Sequence, residues 1–388
     1  MKNFTFQSPT KFVFGRDTHR KAGQLVAALG AKKVMVLYGG GSAIQNGTLP
    51  VVLQSLDEAG LDYVSAGGVQ PNPVSSFVYS AIEGARDEGV DFMLAVGGGS
   101  VIDTAKAVAL GVPYPGDFLD FYRGKKVEEA LPIGVVLTIP AAGSEGSPNT
   151  VITDESTHIK KGAAGECLRP KFAVLNPELT FTLSKYQSAC GISDMMAHIF
   201  ERYFTKTPEN VVTDRLCEGL LLAIKDVAMR IIIDSEDYEA QAALMWAGML
   251  AHNNLCGVGR DQDWGSHALA HQISALYDAA HGAALAVIFP AWMKYVYTED
   301  IDMFARIAHN VWGVPESVNK EQMALDGIAV YEDFLRGIGM PTKLSQLDVP
   351  EDGIPEMVEL AFALGNQTIG SFKRMTPTDV EAVYRLAL

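Results

Sequence analysis

Twice in this chain an apolar run ends in three glycines and a serine, and each time a helical pattern follows. Val34-Met35-Val36-Leu37-Tyr38 leads into Gly39-Gly40-Gly41-Ser42, and Phe92-Met93-Leu94-Ala95-Val96 leads into Gly97-Gly98-Gly99-Ser100. Short apolar runs that pass through Gly turns into helices build parallel strands with crossover helices, because a tight hairpin cannot join parallel neighbours. The same rhythm covers the first half of the chain, with helical patterns at 49–59 and 77–88 and strand candidates at 61–64, 133–139 and 172–175. Near the start, Phe4-Thr5-Phe6 and Lys11-Phe12-Val13-Phe14 flank Ser8-Pro9, a layout that predicts an edge hairpin. After about residue 183 the texture becomes helical throughout, with patterns at 189–204, 208–233, 237–255, 264–276, 283–296, 301–311, 320–337 and 375–387. A chain of 388 residues is long for one core. The expectation is an α/β domain with a Rossmann-like parallel sheet at 1–183 and an all-helical domain at 184–388.

Charge removes several partners. Thirty-one basic against 46 acidic residues leave a net charge of −15, a poor match to nucleic-acid phosphates or an anionic membrane surface. No apolar stretch reaches the ~18 residues that a membrane helix needs. Met1-Lys2-Asn3-Phe4-Thr5-Phe6 lacks the basic-then-apolar layout of a signal peptide. The cysteines Cys167, Cys190, Cys217 and Cys256 are widely spaced with no C-x-x-C pair, which predicts reduced thiols and a cytoplasmic location.

A Gly turn between a strand and a helix exposes backbone N–H groups at the helix start, where a pyrophosphate binds well. The helix after Gly97-Gly98-Gly99-Ser100 also carries Asp103 and Lys106. The Gly39–Ser42 turn lacks the acidic residue with which NAD-selective sites hold the ribose 2′-hydroxyl; the next acid is Asp57. That leaves room and donors for a 2′-phosphate. In the helical half, Asp194-x-x-x-His198 and His267-x-x-x-His271 are i, i+4 pairs whose side chains share a helix face, and His281-Gly282 follows. Imidazole plus carboxylate suits Zn²⁺ or Fe²⁺. Spacing alone does not choose between His271 and His281 as a ligand. For His19, His158, His252 and His309 the sequence offers no functional argument.

These residues carry a family resemblance that runs nearly end to end. The chain resembles the iron-containing (group III) alcohol dehydrogenases, in the branch of butanol dehydrogenases and NADPH-dependent aldehyde reductases. The shared features are the Phe-x-x-Pro-Thr-x-x-x-Phe-Gly opening at 6–15, the loop at 38–42, Pro71-Asn72-Pro73 and Gly97-Gly98-Gly99-Ser100-Val-x-Asp103. Leu137-Thr138-x-Pro140-Ala141-x-Gly143-Ser144-Glu145 and Gln262-Asp263-Trp264-x-x-His267-x-x-x-His271 complete the pattern. The resemblance implies a nucleotide-binding α/β domain, a metal-binding helical domain and an active site in the cleft between them. It implies a divalent metal held by Asp194, His198, His267 and His281, with His271 beside the nicotinamide and substrate. It places phosphate contacts on Gly98, Gly99 and Ser100, the adenine-ribose side on Gly40, Ser42 and Asn72, and further cofactor contacts on Thr138, Ser147, Asn149 and Lys160. The stretch Gly146-Ser147-Pro148-Asn149 departs from the pattern of the close branch. The implied activity is reduction of a small, butanal-like aldehyde by NAD(P)H, with NADP(H) preferred over NAD(H), in a homodimer.

Two other readings make different demands. A lyase of the dehydroquinate-synthase type needs a highly basic pocket for a phosphorylated acid, and Arg260 is the nearest basic residue to the histidine motif in sequence. A catalytically silent nucleotide-binding protein would be expected to lack at least one of the four metal-ligand candidates, and all four are present.

Overall fold

The computed structural model describes residues 1–157, 159–363 and 365–388; His158 therefore lies outside the described residues. Two compact units form. One comprises Gln7–Leu183 and Ser235–Asn253, the other Met1–Phe6, Ser184–Asp234 and Asn254–Leu388.

The first unit is built on a six-stranded sheet, with β1 (Lys11–Phe14), β2 (Lys33–Gly39), β3 (Asp62–Val69), β4 (Phe92–Gly97), β5 (Ile133–Leu137) and β8 (Phe172–Leu175) in the order β1-β8-β5-β4-β2-β3. Every pairing in it is parallel. β6 (Asn149–Asp154) and β7 (Ile159–Ala164) form a separate antiparallel pair. The helices of the unit's first segment are α1 (Ala22–Ala27), α2 (Ser42–Gln45), α3 (Thr48–Glu58), α4 (Ser75–Asp87), α5 (Gly99–Gly111) and α6 (Leu119–Tyr122). All six β4 residues and all five β5 residues are buried, as continuous apolar runs covered on both faces require. From β2 the chain steps to β3 on one side and then returns to β4 on the other. The sheet therefore reverses direction between β2 and β4, the position where open α/β sheets bind ligands beyond their strand ends.

The remaining helices are α7 (Lys185–Tyr203), α8 (Val211–Ile233), α9 (Tyr238–His252), α10 (Gly265–Tyr277), α11 (His281–Val296), α12 (Ile301–Asn310), α13 (Lys320–Gly337), α14 (Ile354–Phe362) and α15 (Pro377–Leu386). Among the described residues, no helix is long and apolar enough to cross a membrane. The core of the second unit is aromatic, with Phe200, Phe204, Phe289, Trp292 and Tyr331 all fully buried.

Two features differ from the sequence expectations. A single cut at 183/184 does not separate the units, because α9 packs in the α/β unit. Its Met245 joins the core beside the sheet, and Trp246 meets Phe12 and Phe14 edge-on. The expected N-terminal hairpin is absent among the described residues. β1 instead pairs in parallel with β8, and residues 1–6 join the helical unit, where the Lys2 N–H donates to the Gly259 carbonyl at 2.8 Å. Phe4 and Phe6 fit an extended pattern, but the backbone partner of this arm lies far along the chain, where local alternation carries no information.

Candidate active site

The two glycine turns lie side by side. Tyr38 and Val96 are register partners on adjacent strands, so Gly39–Ser42 and Gly97–Ser100 leave the same edge of the sheet. The turn after β4 leaves no space for a side chain at Gly97 and little at Gly98. A Cβ on Gly97 would come within 2.5 Å of Val101, and one on Gly98 within 3.0 Å of Ile139. Gly41 has φ +124°, a conformation that favours glycine. Gly99 and Ser100 open α5, a helix of 13 residues whose N-terminus suits an anion. Thr138 follows β5, and its N–H donates to the Gly97 carbonyl at 3.0 Å. Asn72, at φ +54° beyond β3, accepts a 2.8 Å hydrogen bond from Lys160 Nζ on β7. Beside it lies a cavity of about 260 Å³ lined by Val69, Gln70, Pro73, Phe77 and Thr104, among others.

Asp103 and Lys106 do not serve the glycine turn directly. Asp103 accepts hydrogen bonds from the Ser144 hydroxyl at 2.6 Å and the Val151 N–H at 3.0 Å. Lys106, fully buried, donates to the carbonyls of Ser144, Ser147 and Asn149 at 2.7 to 2.9 Å. Burial pulls its ammonium down to about 8, against the opposing charges of Asp103 and Glu145. These two residues of α5 thus set the shape of the 144–151 segment that carries Ser147 and Asn149. Asn149 also stands 3.3 Å from the His252 ring on α9, so His252, silent in the sequence, buttresses this segment.

In the helical unit, α7 presents Asp194 and His198, α10 presents His267 and His271, and α11 begins at His281. Donor atoms of Asp194, His267 and His281 all lie within 4.8 Å of one another. His198 borders the same cluster, with Nε2 3.3 Å from Asp194 Oδ1 and its ring centre 4.6 Å from that of His267. Asp194, His198 and His267 are buried. One carboxylate and three imidazoles converging in a largely buried pocket fit a divalent ion of the Zn²⁺ or Fe²⁺ type. His271 lies one step outside, its ring centre 5.1 Å from His281 and 6.4 Å from His267.

Two carboxylates behind these groups had no role assigned from sequence: Glu201, and Asp263 within the histidine motif. Glu201 Oε1 stands 2.8 Å from His267 Nδ1 and accepts from the His267 backbone N–H at 2.9 Å. Asp263 accepts from the backbone N–H groups of Gly265, Ser371 and Phe372, which ties the 371–372 backbone to the start of α10. Burial pushes the Asp263 carboxyl up to about 7, reinforced by the Glu201 charge. A signal for Glu201 was available: Asp194, His198 and Glu201 are spaced i, i+4, i+7 on one helix face. Close approach of α7 and α11 sets the last donor. A Cβ on Gly282 would fall 2.1 Å from the Cys190 carbonyl oxygen, so only glycine lets His281 sit this near α7.

The model of the iron-containing alcohol dehydrogenase family matches residues 9–177, and the C-terminal model of the Fe-containing alcohol dehydrogenase family matches residues 188–388. The chain is 36% identical over the full length of both proteins to a probable NADH-dependent butanol dehydrogenase of Bacillus subtilis. It is 33% identical, again end to end, to the NADPH-dependent aldehyde reductase YqhD of Escherichia coli. A crystal structure of the NADH-dependent butanol dehydrogenase A of Thermotoga maritima superposes with a TM-score of 0.96 at 40% identity, covering 100% of this chain and 99% of the other.

Proposed function

The chain belongs to the iron-containing alcohol dehydrogenase family, and on that premise we propose that it reduces small, butanal-like aldehydes to primary alcohols with NAD(P)H. The observation that carries this reading is the convergence of Asp194, His267 and His281, with His198 bordering them. A divalent ion held there would supply Lewis acidity at an aldehyde oxygen, and a bound nicotinamide would supply the hydride. The proton that completes the alcohol comes through water or His271, which is half-buried next to His281. The α5 N-terminus with Gly98, Gly99 and Ser100 takes the cofactor pyrophosphate. Gly40, Ser42 and Asn72 serve the adenine-ribose end, and Thr138, Ser147, Asn149 and Lys160 serve the rest.

The Gly39–Ser42 turn supports NADP(H) over NAD(H), because it brings no carboxylate against a 2′-phosphate and Ser42 can donate to it. A lyase acting on a phosphorylated acid finds less support. Arg260 is buried and committed to Asp214 and to the carbonyls of Asn210 and Arg202. The edge strand β1, with Phe14 and Trp246 exposed nearby, supports pairing with a second copy as a homodimer. The wide spacing of the four cysteines, with no C-x-x-C pair, supports a reducing, cytoplasmic setting.

The test is metal analysis of protein purified without chelators, joined to loss of absorbance at 340 nm with butanal and NADPH or NADH. One divalent ion per chain and metal-dependent oxidation of reduced cofactor are expected. A metal-free protein that reduces butanal equally well would refute the reading.

A further inference from the structure

Glu201 is fully buried near the end of α7, and its carboxylate reaches across to α10. Oε2 accepts the Trp264 N–H at 2.6 Å. Oε1 faces three donors: the Ser266 hydroxyl at 3.1 Å, the His267 backbone N–H at 2.9 Å and His267 Nδ1 at 2.8 Å. We propose that Glu201 is the positioning residue of the metal centre, fixing the tautomer and ring orientation of His267 so that its Nε2 lone pair faces Asp194.

The proposal rests on the reading of Asp194, His198, His267 and His281 as a metal site. A neutral imidazole carries one ring proton. With a carboxylate at Nδ1, that proton sits on Nδ1, and Nε2, 4.0 Å from Asp194 Oδ1, is left as an electron-pair donor on the ligand side. Without an acceptor at Nδ1 the two tautomers compete, and one of them points an N–H at the ion. A carboxylate behind a ligating histidine also makes the imidazole a stronger base.

The same oxygens hold the backbone from which His267 projects. The first turn of a helix has N–H groups without intrahelical partners, and Glu201 takes those of Trp264 and His267. Trp264 has φ +66°, rare for so bulky a residue, and this backbone must be held in place from outside. Two further contacts hold it: the Asp263 N–H donates to the Glu201 carbonyl at 2.8 Å, and the Arg202 guanidinium lies 4.6 Å from the centre of the Trp264 ring.

Glu201→Gln keeps the side-chain shape but sets an NH₂ against N–H donors. The full-length variant should bind Zn²⁺ about 10- to 100-fold more weakly than wild type in competition with a chelator. At saturating Zn²⁺ the KM for butanal should stay within about twofold of wild type while kcat falls. An equally tight Zn²⁺ complex in a folded Glu201→Gln protein overturns the proposal and leaves the functional reading standing. Wild-type protein that binds no divalent ion overturns both. Should the variant fail to fold, the metal-free wild type decides the matter. Long-range ¹H–¹⁵N correlations of its histidine rings, with His267 assigned by its loss in His267→Gln, should show the Nδ1-protonated tautomer, and an Nε2-protonated ring overturns the proposal.

Discussion

Replacing Gly282 by alanine should dislodge His281 from the donor cluster. The new Cβ would stand 2.1 Å from the Cys190 carbonyl oxygen, 2.6 Å from its carbonyl carbon and 2.8 Å from its Cα. A carbon normally approaches a carbonyl oxygen no closer than about 3.3 Å, so α11 must move away from α7 by more than about 1 Å. All three atoms in the way are backbone, so no rotamer change relieves the overlap. Overpacking of this kind costs about 1–3 kcal/mol. A chemical penalty of similar size should accompany the structural one, because His281 is the preceding residue and moves with the helix. A displacement of ~1 Å in a catalytic group costs on the order of 10²-fold in rate. The assay combines melting of the metal-free protein, metal content after dialysis and kcat/KM for butanal. Gly219→Ala is the control: a Cβ at this exposed position of α8 meets nothing within 4 Å, and alanine should stabilise the helix by up to ~1 kcal/mol. A Gly282→Ala protein with wild-type metal content and kcat/KM would show that the α7–α11 contact does not set the site.

His267→Ala should abolish metal content and turnover together, whereas His271→Ala should keep most of the ion and slow turnover, as measured by metal analysis beside the 340 nm assay. Equal metal loss in the two variants would place His271 among the ligands. The kcat/KM for NADPH should exceed that for NADH by at least about tenfold, or ~1.4 kcal/mol. Gly39→Asp should shrink or reverse that ratio, since a Cβ there meets only the Val69 carbonyl at 3.5 Å and the Val101 side chain at 3.9 Å, and an unchanged ratio would count against the cofactor argument. Burial pushes the Glu145 carboxyl from its ordinary 4.5 up to about 7. The folded protein thus binds this proton more tightly than the unfolded chain, and stability falls as pH rises from about 4.5 to 7, then levels off. That gap corresponds to ~3 kcal/mol, so the melting temperature of Glu145→Gln relative to wild type should climb by several degrees across the window. A difference that stays constant from pH 4.5 to 8 would refute the assignment.

Local pattern was enough for much of this protein. The Gly turns, the apolar runs before them and the helix periods after them predict parallel strands, and β2 and β4 lie where those runs are, with β8 on the separate apolar run at 172–175. The i, i+4 spacings placed Asp194 with His198 and His267 with His271 on shared helix faces, because the helical repeat alone dictates that. What pattern could not supply was which distant segment each face would meet. An apolar stripe specifies burial but not its partner, so α9 read as one more helix of the second half, whereas its Met245 and Trp246 side chains pack in the α/β unit. Both glycine turns were visible, but only the strand order puts β2 beside β4 and the two turns side by side. His271 and His281 were equivalent by spacing. The packing of α11 against α7, through a glycine with no side chain to hold the helices apart, brings the His281 donor atom to Asp194 and His267. Glu201 shows the same division. Its place on the helix face follows from residue number, but its 2.8 Å approach to His267 joins residues 66 positions apart, and such a contact exists only once two helices have packed.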